Sequence, residues 1–141
     1  QLMKKLRLGM IGGGQDSFIG AVHRIASRID DQWSLEAGCL SSKPERAIAS
    51  AKEIGLPFDR SYISFQEMAE AEKMRDDGIH AVAIVTPNNV HADPAITFLK
   101  AGIHVICDKP LASNIEEAES IEDTLNKSGK LLKLSTCYET W

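Results

Sequence analysis

The chain has 141 residues, with 16 basic and 20 acidic side chains and a formal net charge of −4. Hydrophobic residues make up 43% and charged residues 26%, which is ordinary for a soluble globular protein. The negative charge and the lack of a basic run disfavour nucleic-acid and anionic-membrane partners. The apolar stretches are shorter than the roughly 20 residues of a bilayer span. We therefore expect one cytoplasmic domain over residues 1–141.

Apolar runs of strand length alternate along the chain with segments of helical period. This alternation is typical of α/β folds in which helices connect parallel strands. The strands are predicted at 6–11, 35–40, 60–62, 80–85, 103–107 and 131–136, and the helices at 18–29, 44–54, 64–73, 90–101 and 115–127. These elements predict a doubly wound, mainly parallel six-stranded sheet in the order 3-2-1-4-5-6, with helices on both faces and 60–62 at the edge.

Several helix ends carry specific signals. Pro44 suits the first turn of the second helix, and Gly55 is its predicted stop. Ser64 and Glu67 have the spacing of a capping box at the start of the third helix. Gly102 is predicted to end the fourth helix.

The three cysteines, Cys39, Cys107 and Cys137, are odd in number and far apart. A disulfide framework or a zinc ribbon would need a different spacing. Each cysteine falls in or beside a predicted strand, where a free thiol usually packs as a small apolar side chain. We predict buried thiols without a catalytic or metal-binding role.

A glycine-rich turn, Gly12-Gly13-Gly14, follows the first predicted strand. Gly12 and Gly14 fit the first two glycines of a dinucleotide fingerprint, which permit a tight turn and the close approach of a pyrophosphate. The alternative is a tight corner without a ligand. A P-loop ATPase is disfavoured because no Gly-Lys-Ser/Thr follows.

The third glycine of that fingerprint is displaced. Strict spacing puts it at Ser17, whereas the next glycine is Gly20. Either Ser17 packs where glycine normally does, or the loop is three residues longer and Gly20 takes the packing role, which we favour. The amides of Ser17, Phe18 and Ile19, where the helix begins, are then candidates for phosphate binding.

The end of the second predicted strand carries the signal for cofactor choice. Domains that prefer NAD usually place Asp or Glu here, where the carboxylate binds the ribose hydroxyls and repels a 2′-phosphate. This chain has Ser41-Ser42-Lys43, with Arg46 one helical step away. The hydroxyls and cations favour NADP, although solvated surface charges and dual use of both cofactors stay open.

Lys109 and Pro110 follow the predicted strand 103–107. A lysine at the end of a buried strand supplies a cation or an acid where the reactive end of a ligand would lie. Together with the earlier glycine turn, this lysine favours a nicotinamide-dependent oxidoreductase over a generic nucleotide binder.

Four segments of the chain resemble the Gfo/Idh/MocA-type oxidoreductases, which act on sugars and cyclitols. They are the glycine turn with residues 18–24, the run 81–88 with His91, the run 101–110, and the helix from Ile115. The resemblance covers nearly the whole chain. It implies a Rossmann NAD(P)-binding domain that transfers hydride between a nicotinamide cofactor, NADP or NAD, and a sugar or cyclitol.

The resemblance also implies roles for particular residues. Lys109 occupies the position of the family's catalytic lysine beside nicotinamide and substrate, and Asp108 replaces the glutamate of the family's Glu-Lys-Pro motif, followed by Pro110. Lysine fits this role because its cation can polarise a hydroxyl, or assist its proton loss, while hydride leaves the same carbon.

A second segment matches the part of the family that contacts the ribose on the nicotinamide side. It consists of Thr86, Pro87 and Asn88, followed by His91, for which lining the cofactor cleft and packing are equally open. A strand-ending turn without a ligand is the alternative for the first three residues. The remaining histidines, His23, His80 and His104, are predicted to be structural.

The family resemblance implies a second domain that builds the substrate pocket, and the 141 residues do not include it. We expect either a fragment, a truncated product or an independent module that binds cofactor without efficient turnover. Apolar surface left without that domain predicts a homo-oligomer. The alternative function is a non-catalytic dinucleotide-binding or interaction module, and a methyltransferase ranks third.

Overall fold

The computed structural model describes residues 6–12, 33–41, 43–85, 92–108, 114–130 and 132–135. The strands are β1 (Leu6–Gly12), β2 (Trp33–Cys39), β3 (Ala81–Val85), β4 (His104–Asp108) and β5 (Leu132–Ser135). The α-helices are α1 (Pro44–Ile54), α2 (Phe65–Met74), α3 (Ala92–Lys100) and α4 (Ile115–Ser128), and a short 3₁₀ helix covers Phe58–Arg60.

All five strands run parallel in one sheet, in the order β2-β1-β3-β4-β5. The predicted doubly wound α/β fold is therefore confirmed. The described residues form five strands rather than six, because the predicted edge strand 60–62 is reduced to a single parallel bridge between Ser61 and Gly38 of β2. The bridge lies beside β2, where the edge strand was predicted. The order of the other five strands in the sheet is the predicted one.

The edge segment fails to extend as a strand because its amides are already used locally. Pro57, with φ −59°, begins the 3₁₀ turn. The N–H of Arg60 donates to the carbonyl of Pro57 at 3.1 Å, and the N–H of Ser61 donates to that of Phe58 at 3.4 Å. Of the predicted strand residues, Tyr62 donates across to β2, with its N–H 2.7 Å from the carbonyl of Gly38.

Helices cover both faces of the sheet. Successive strand residues face opposite sides, so Ile84 of β3 packs in a cluster with Met68 of α2 and Phe98 of α3. Met10 of β1 packs in a second cluster, which contains Ala51 of α1. Burial of a side chain as large as Phe98, which is fully buried, contributes about 1.5–3 kcal/mol.

Glycine permits the close contact between β1 and α2. A Cβ atom at Gly9 would lie 2.5 Å from Cδ1 of Ile79 and 2.6 Å from Cε of Met68. The register of β1 against β2 also shifts between Leu8 and Gly9. This small residue therefore lets the helix side of the core sit directly against the strand that carries the glycine turn.

The helix-end signals at Pro44, Gly55, Ser64 and Gly102 are confirmed, whereas the predicted helix 18–29 lies outside the described residues. The Ser64 hydroxyl accepts a hydrogen bond from the N–H of Glu67 at 3.1 Å, and Gly55 and Gly102 adopt positive φ values of 80° and 81° after their helices. The sequence analysis missed a further cap, since Oδ1 of Asn114 accepts from the N–H of Glu117 at 2.8 Å at the start of α4.

A buried ion pair joins the edge segment to α2. Arg60 is 3% exposed and Glu72 is 2% exposed, and Nη2 and Nε of Arg60 donate to the two carboxylate oxygens of Glu72. The hydroxyl of Tyr62 and the N–H of Ile79 donate to the same carboxylate at 2.7 and 3.2 Å. Four donors satisfy this charge, which buried carboxylates require.

Among the helices in the part of the chain that the structure describes, none has the length and apolar character needed to cross a membrane. The same residues hold no group of three or more histidine, cysteine, aspartate or glutamate side chains that could bind a metal ion.

Candidate cofactor-binding site at the carboxyl edge of the sheet

The carboxyl ends of the parallel strands converge at one edge, and β1 lies at the point where the strand order reverses. β2 pairs with one side of β1 and β3 with the other. At the end of β1, Gly12 pairs with Val85, and Ile11 pairs with Cys39. In open α/β sheets, a crevice forms at this switch point, and ligands bind there.

The connection from β2 to α1 starts at the same edge, because Cys39 at the end of β2 pairs with Ile11. Lys43 occupies the N-cap position of α1 in an extended conformation, and its side chain makes no capping hydrogen bond. The N–H of Lys43 donates to the Ser41 hydroxyl at 3.1 Å. Lys43 and Arg46 are exposed. The positive end of the α1 dipole and these two cations favour an anion at this position, against the opposing charge of Glu45 in the first turn.

The end of β4 reaches the same edge. Asp108 is its last residue and pairs with Ser135 of β5. With neighbouring strands spaced about 4.8 Å apart, the end of β4 lies roughly 10 Å across the sheet from the end of β1. Asp108 therefore ends at the same edge of the sheet as Gly12, two strands away.

The structure thus brings together Gly12, Ser41, Lys43, Arg46 and the backbone of Asp108 at one edge of the sheet. The other predicted site residues lie outside the described residues and stay predictions: Gly13, Gly14, Ser17, Phe18, Ile19, Ser42, Thr86, Pro87, Asn88, His91, Lys109 and Pro110.

Cys39 ends β2 near the site without being a nucleophile. Its side chain is buried, and burial, with the nearby negative charge of Glu67, raises the pKa of the thiol to about 11. The thiol is therefore protonated at neutral pH. The predicted burial is confirmed for Cys39, whereas the side chain of Cys107 and the whole of Cys137 lie outside the described residues.

His80 lies at the opposite, amino-terminal edge of the sheet. Its Nδ1 accepts a hydrogen bond from the N–H of Arg7 at 2.9 Å, and its own N–H donates to the carbonyl of Arg7 at 2.8 Å. Partial burial and the positive charges of Arg7 and His104 lower the pKa of His80. This confirms that His80 is structural, and His104 begins β4 at the same edge, while His23 lies outside the described residues.

A doubly wound parallel sheet whose first strand ends in glycine at the switch point is typical of a dinucleotide-binding Rossmann domain. The chain matches the family described as "Oxidoreductase family, NAD-binding Rossmann fold" over residues 6–136. It therefore belongs to the Gfo/Idh/MocA oxidoreductase family and comprises its NAD(P)-binding Rossmann domain.

Relatives in sequence share this domain. An uncharacterized oxidoreductase of Bacillus subtilis is 38% identical over 132 residues, which cover 93% of this chain and 34% of the relative. Levoglucosan dehydrogenase of Pseudarthrobacter phenanthrenivorans is 34% identical over 130 residues, covering 87% of this chain and 31% of that enzyme. The chain thus spans about a third of the length of these relatives.

Solved structures show the same similarity. An oxidoreductase from Sinorhizobium meliloti has 54% identity and a TM-score of 0.85, with 94% of this chain and 37% of that chain covered. An inositol dehydrogenase homologue from Azotobacter vinelandii, complexed with NADH and myo-inositol, has 34% identity and a TM-score of 0.85, with 94% and 35% covered.

Proposed function

We propose that the chain is the cofactor-binding domain of a dehydrogenase that moves hydride between a nicotinamide cofactor and a hydroxyl or keto carbon of a sugar or cyclitol. The observation that carries this proposal is the family match over residues 6–136. Levoglucosan dehydrogenase and the inositol dehydrogenase homologue support the substrate class.

The described geometry fits a dinucleotide. Gly12 ends β1 between two flanking strands at the switch point, where a pyrophosphate approaches the backbone in such folds. The turn to α1 offers amides and cations for the adenosine end. We assign the pyrophosphate to the glycine turn with Ser17, Phe18 and Ile19, and the nicotinamide-side ribose to the segment 86–88 and His91.

Lys109 is the proposed catalytic residue. The bound cofactor supplies the hydride acceptor or donor, and the ammonium of Lys109 polarises the substrate oxygen or assists its proton transfer. Asp108 precedes this lysine at the end of β4. A further domain that supplies the substrate pocket belongs to the proposal, because a positioned partner is required for efficient proton transfer.

We further propose that the domain prefers NADP. Support comes from the exposed cations Lys43 and Arg46 at the uncapped start of α1 and from the Ser41 hydroxyl beside them. A carboxylate at this turn would repel a 2′-phosphate, and residues 41–43 contain none. The signal is weakened by Glu45, which adds one negative charge to the first helical turn.

The cofactor preference is tested by calorimetric titration of the chain with NADPH and NADH in parallel. Replacing Lys43 and Arg46 by alanine should weaken NADPH binding about tenfold or more, which is about 1.4 kcal/mol, and leave NADH nearly unchanged. Lys100→Ala is the matched control, because it removes an exposed cation from the last turn of α3. Equal or tighter NADH binding by the unchanged chain would overturn the NADP preference.

The catalytic assignment needs a chain with a substrate domain. A chimera can join residues 1–141 to the remainder of the Sinorhizobium meliloti oxidoreductase, which is 54% identical over the shared part. Lys109→Ala should lower kcat by a factor of about 10²–10⁴ with little effect on cofactor affinity. A kcat within threefold of the unchanged chimera would contradict this assignment.

A further inference from the structure

The first turn of α1, residues 43–46, is flanked on both sides by contacts with one neighbouring segment. Before this turn, in β2, the carbonyl of Gly38 accepts from the N–H of Tyr62 at 2.7 Å. One residue after the turn, the carbonyl of Ala47 accepts a long hydrogen bond from the Ser61 hydroxyl at 3.5 Å. Two consecutive residues, Ser61 and Tyr62, therefore connect the end of β2 to the first turns of α1.

We call Ser61 and Tyr62 the turn clamp. Hydrogen bonds to other elements hold these two residues in place. The Tyr62 hydroxyl donates to the buried carboxylate of Glu72 at 2.7 Å. Arg60, the residue before the clamp, binds the same carboxylate and donates to the carbonyl of Asp77 at 3.1 Å. The clamp is thus attached to α2 and to the connection between α2 and β3.

Packing leaves the clamped end of β2 little freedom. A Cβ atom at Gly38 would lie 2.8 Å from Cδ1 of Leu56 and 2.9 Å from Cδ2 of Leu40. The absence of a side chain at Gly38 lets these leucines close over the strand while its carbonyl reaches Tyr62. Cys39 and Leu40, which follow, are also buried, and the first exposed residue described after them is Lys43. The clamp thus holds the buried end of β2 from which the chain leaves toward α1.

We propose that Ser61 and Tyr62 are positioning residues that fix the first turn of α1, residues 43–46, and thereby set the discrimination between NADPH and NADH. This inference rests on the proposed function for the role of Lys43 and Arg46. Discrimination is sensitive to such positioning because charge-assisted hydrogen bonds depend on distance and direction. Neither clamp residue is proposed to touch the cofactor.

The test uses Ser61→Ala, which removes the bond to Ala47, and Tyr62→Phe, which removes the bond to Glu72 but keeps the ring and the backbone donor. Ser128→Ala is the matched control, because its hydroxyl donates to the carbonyl of Leu125 at 3.0 Å in the last turn of α4. Two readouts apply: hydrogen exchange of the amides at 43–48 in the cofactor-free chain, and the ratio of the NADH and NADPH dissociation constants.

Both clamp variants should exchange these amides about three- to tenfold faster than the unchanged chain and shift the ratio of dissociation constants about three- to tenfold. The Ser128→Ala chain should match the unchanged chain in both readouts. Unaltered exchange in both clamp variants would overturn the proposal, and faster exchange with an unaltered ratio would overturn its link to discrimination. If the unchanged chain binds neither dinucleotide, the proposed function fails, whereas the exchange rates still decide whether the clamp orders the turn.

Discussion

Two helices beside the edge strand begin in different ways. The first turn of α2 is closed by the Ser64 hydroxyl, which accepts from the N–H of Glu67. The first turn of α1 has Lys43 at the N-cap position, no side-chain cap and Pro44 at its start. A good cap stabilises a helix by about 0.5–2 kcal/mol, so α1 lacks a stabilising contact that α2 has.

This difference indicates that the start of α2 contributes to stability, whereas the start of α1 leaves its amides free for a ligand. A capping carboxylate or hydroxyl on α1 would occupy the amides that an anionic ligand requires. Instead, the structure stabilises the surroundings of this turn through the buried Arg60–Glu72 pair on the neighbouring elements. We expect loss of the α2 cap to alter stability without changing cofactor affinity, and changes at the start of α1 to alter cofactor affinity.

The largest expected effect is a loss of stability on substitution in α2. Glu72→Ala leaves the guanidinium of Arg60 buried without its main partner, and breaking such a pair costs about 3–5 kcal/mol. Urea denaturation measures the loss in the free energy of unfolding. Glu70→Ala, an exposed change on the same helix, should stay within about 0.5 kcal/mol. A loss below about 1 kcal/mol for Glu72→Ala would show that the buried pair does not stabilise this region.

At the start of α1, a capping substitution should raise the stability of the chain and weaken cofactor binding. Lys43→Asp introduces a capping carboxylate at the start of α1, which should raise the free energy of unfolding by about 0.5–1 kcal/mol. The same change should weaken NADPH binding more than tenfold, because it replaces a cation by an anion. Lys43→Ala separates the two effects, since it removes the cation without adding a cap. Unchanged NADPH affinity in the aspartate variant would remove Lys43 from the proposed site.

Removing the cap of α2 is the converse of adding a cap to α1. Ser64→Ala should lower the free energy of unfolding by about 1 kcal/mol because the N–H of Glu67 loses its acceptor. Calorimetry should give the same NADPH dissociation constant as for the unchanged chain. A severalfold loss of affinity with Ser64→Ala would contradict the separation between the two helices.

The smallest expected effect is a loss of stability at acid pH caused by His80, at the amino-terminal edge of the sheet. Because the pKa of His80 is lowered in the folded chain, the unfolded chain takes up a proton first as the pH falls below about 6.5. Stability is therefore fully present above that pH and falls as the pH decreases through the folded-state pKa. His80→Asn, which keeps an acceptor for the N–H of Arg7 without a titrating group, should reduce this acid loss in thermal denaturation measured between pH 7.5 and 5.5. An equal acid loss in both chains would assign it to other groups.

The sequence predicted the strands and helix ends well because periodicity, capping serine and glycine stops are local signals. It was wrong about 60–62 as a strand, because the amides of Arg60 and Ser61 donate within the 3₁₀ turn. It also missed the pairing of Arg60 with Glu72, 12 residues away, because spacing alone does not reveal such a contact. It assigned Gly12 to the cofactor site from the glycine fingerprint, and Ser41, Lys43 and Arg46 from their position after the second strand. It missed the turn clamp for the same reason that it missed the ion pair.

The central claim is that the open start of α1 belongs to a dinucleotide site, and hydrogen exchange with and without NADPH tests it most directly. We predict slower exchange of the amides at 45–47 when NADPH is bound, with the amides at 65–68 at the start of α2 unchanged. Exchange at 45–47 that does not respond to saturating NADPH, or that responds no more than exchange at 65–68, would contradict this claim.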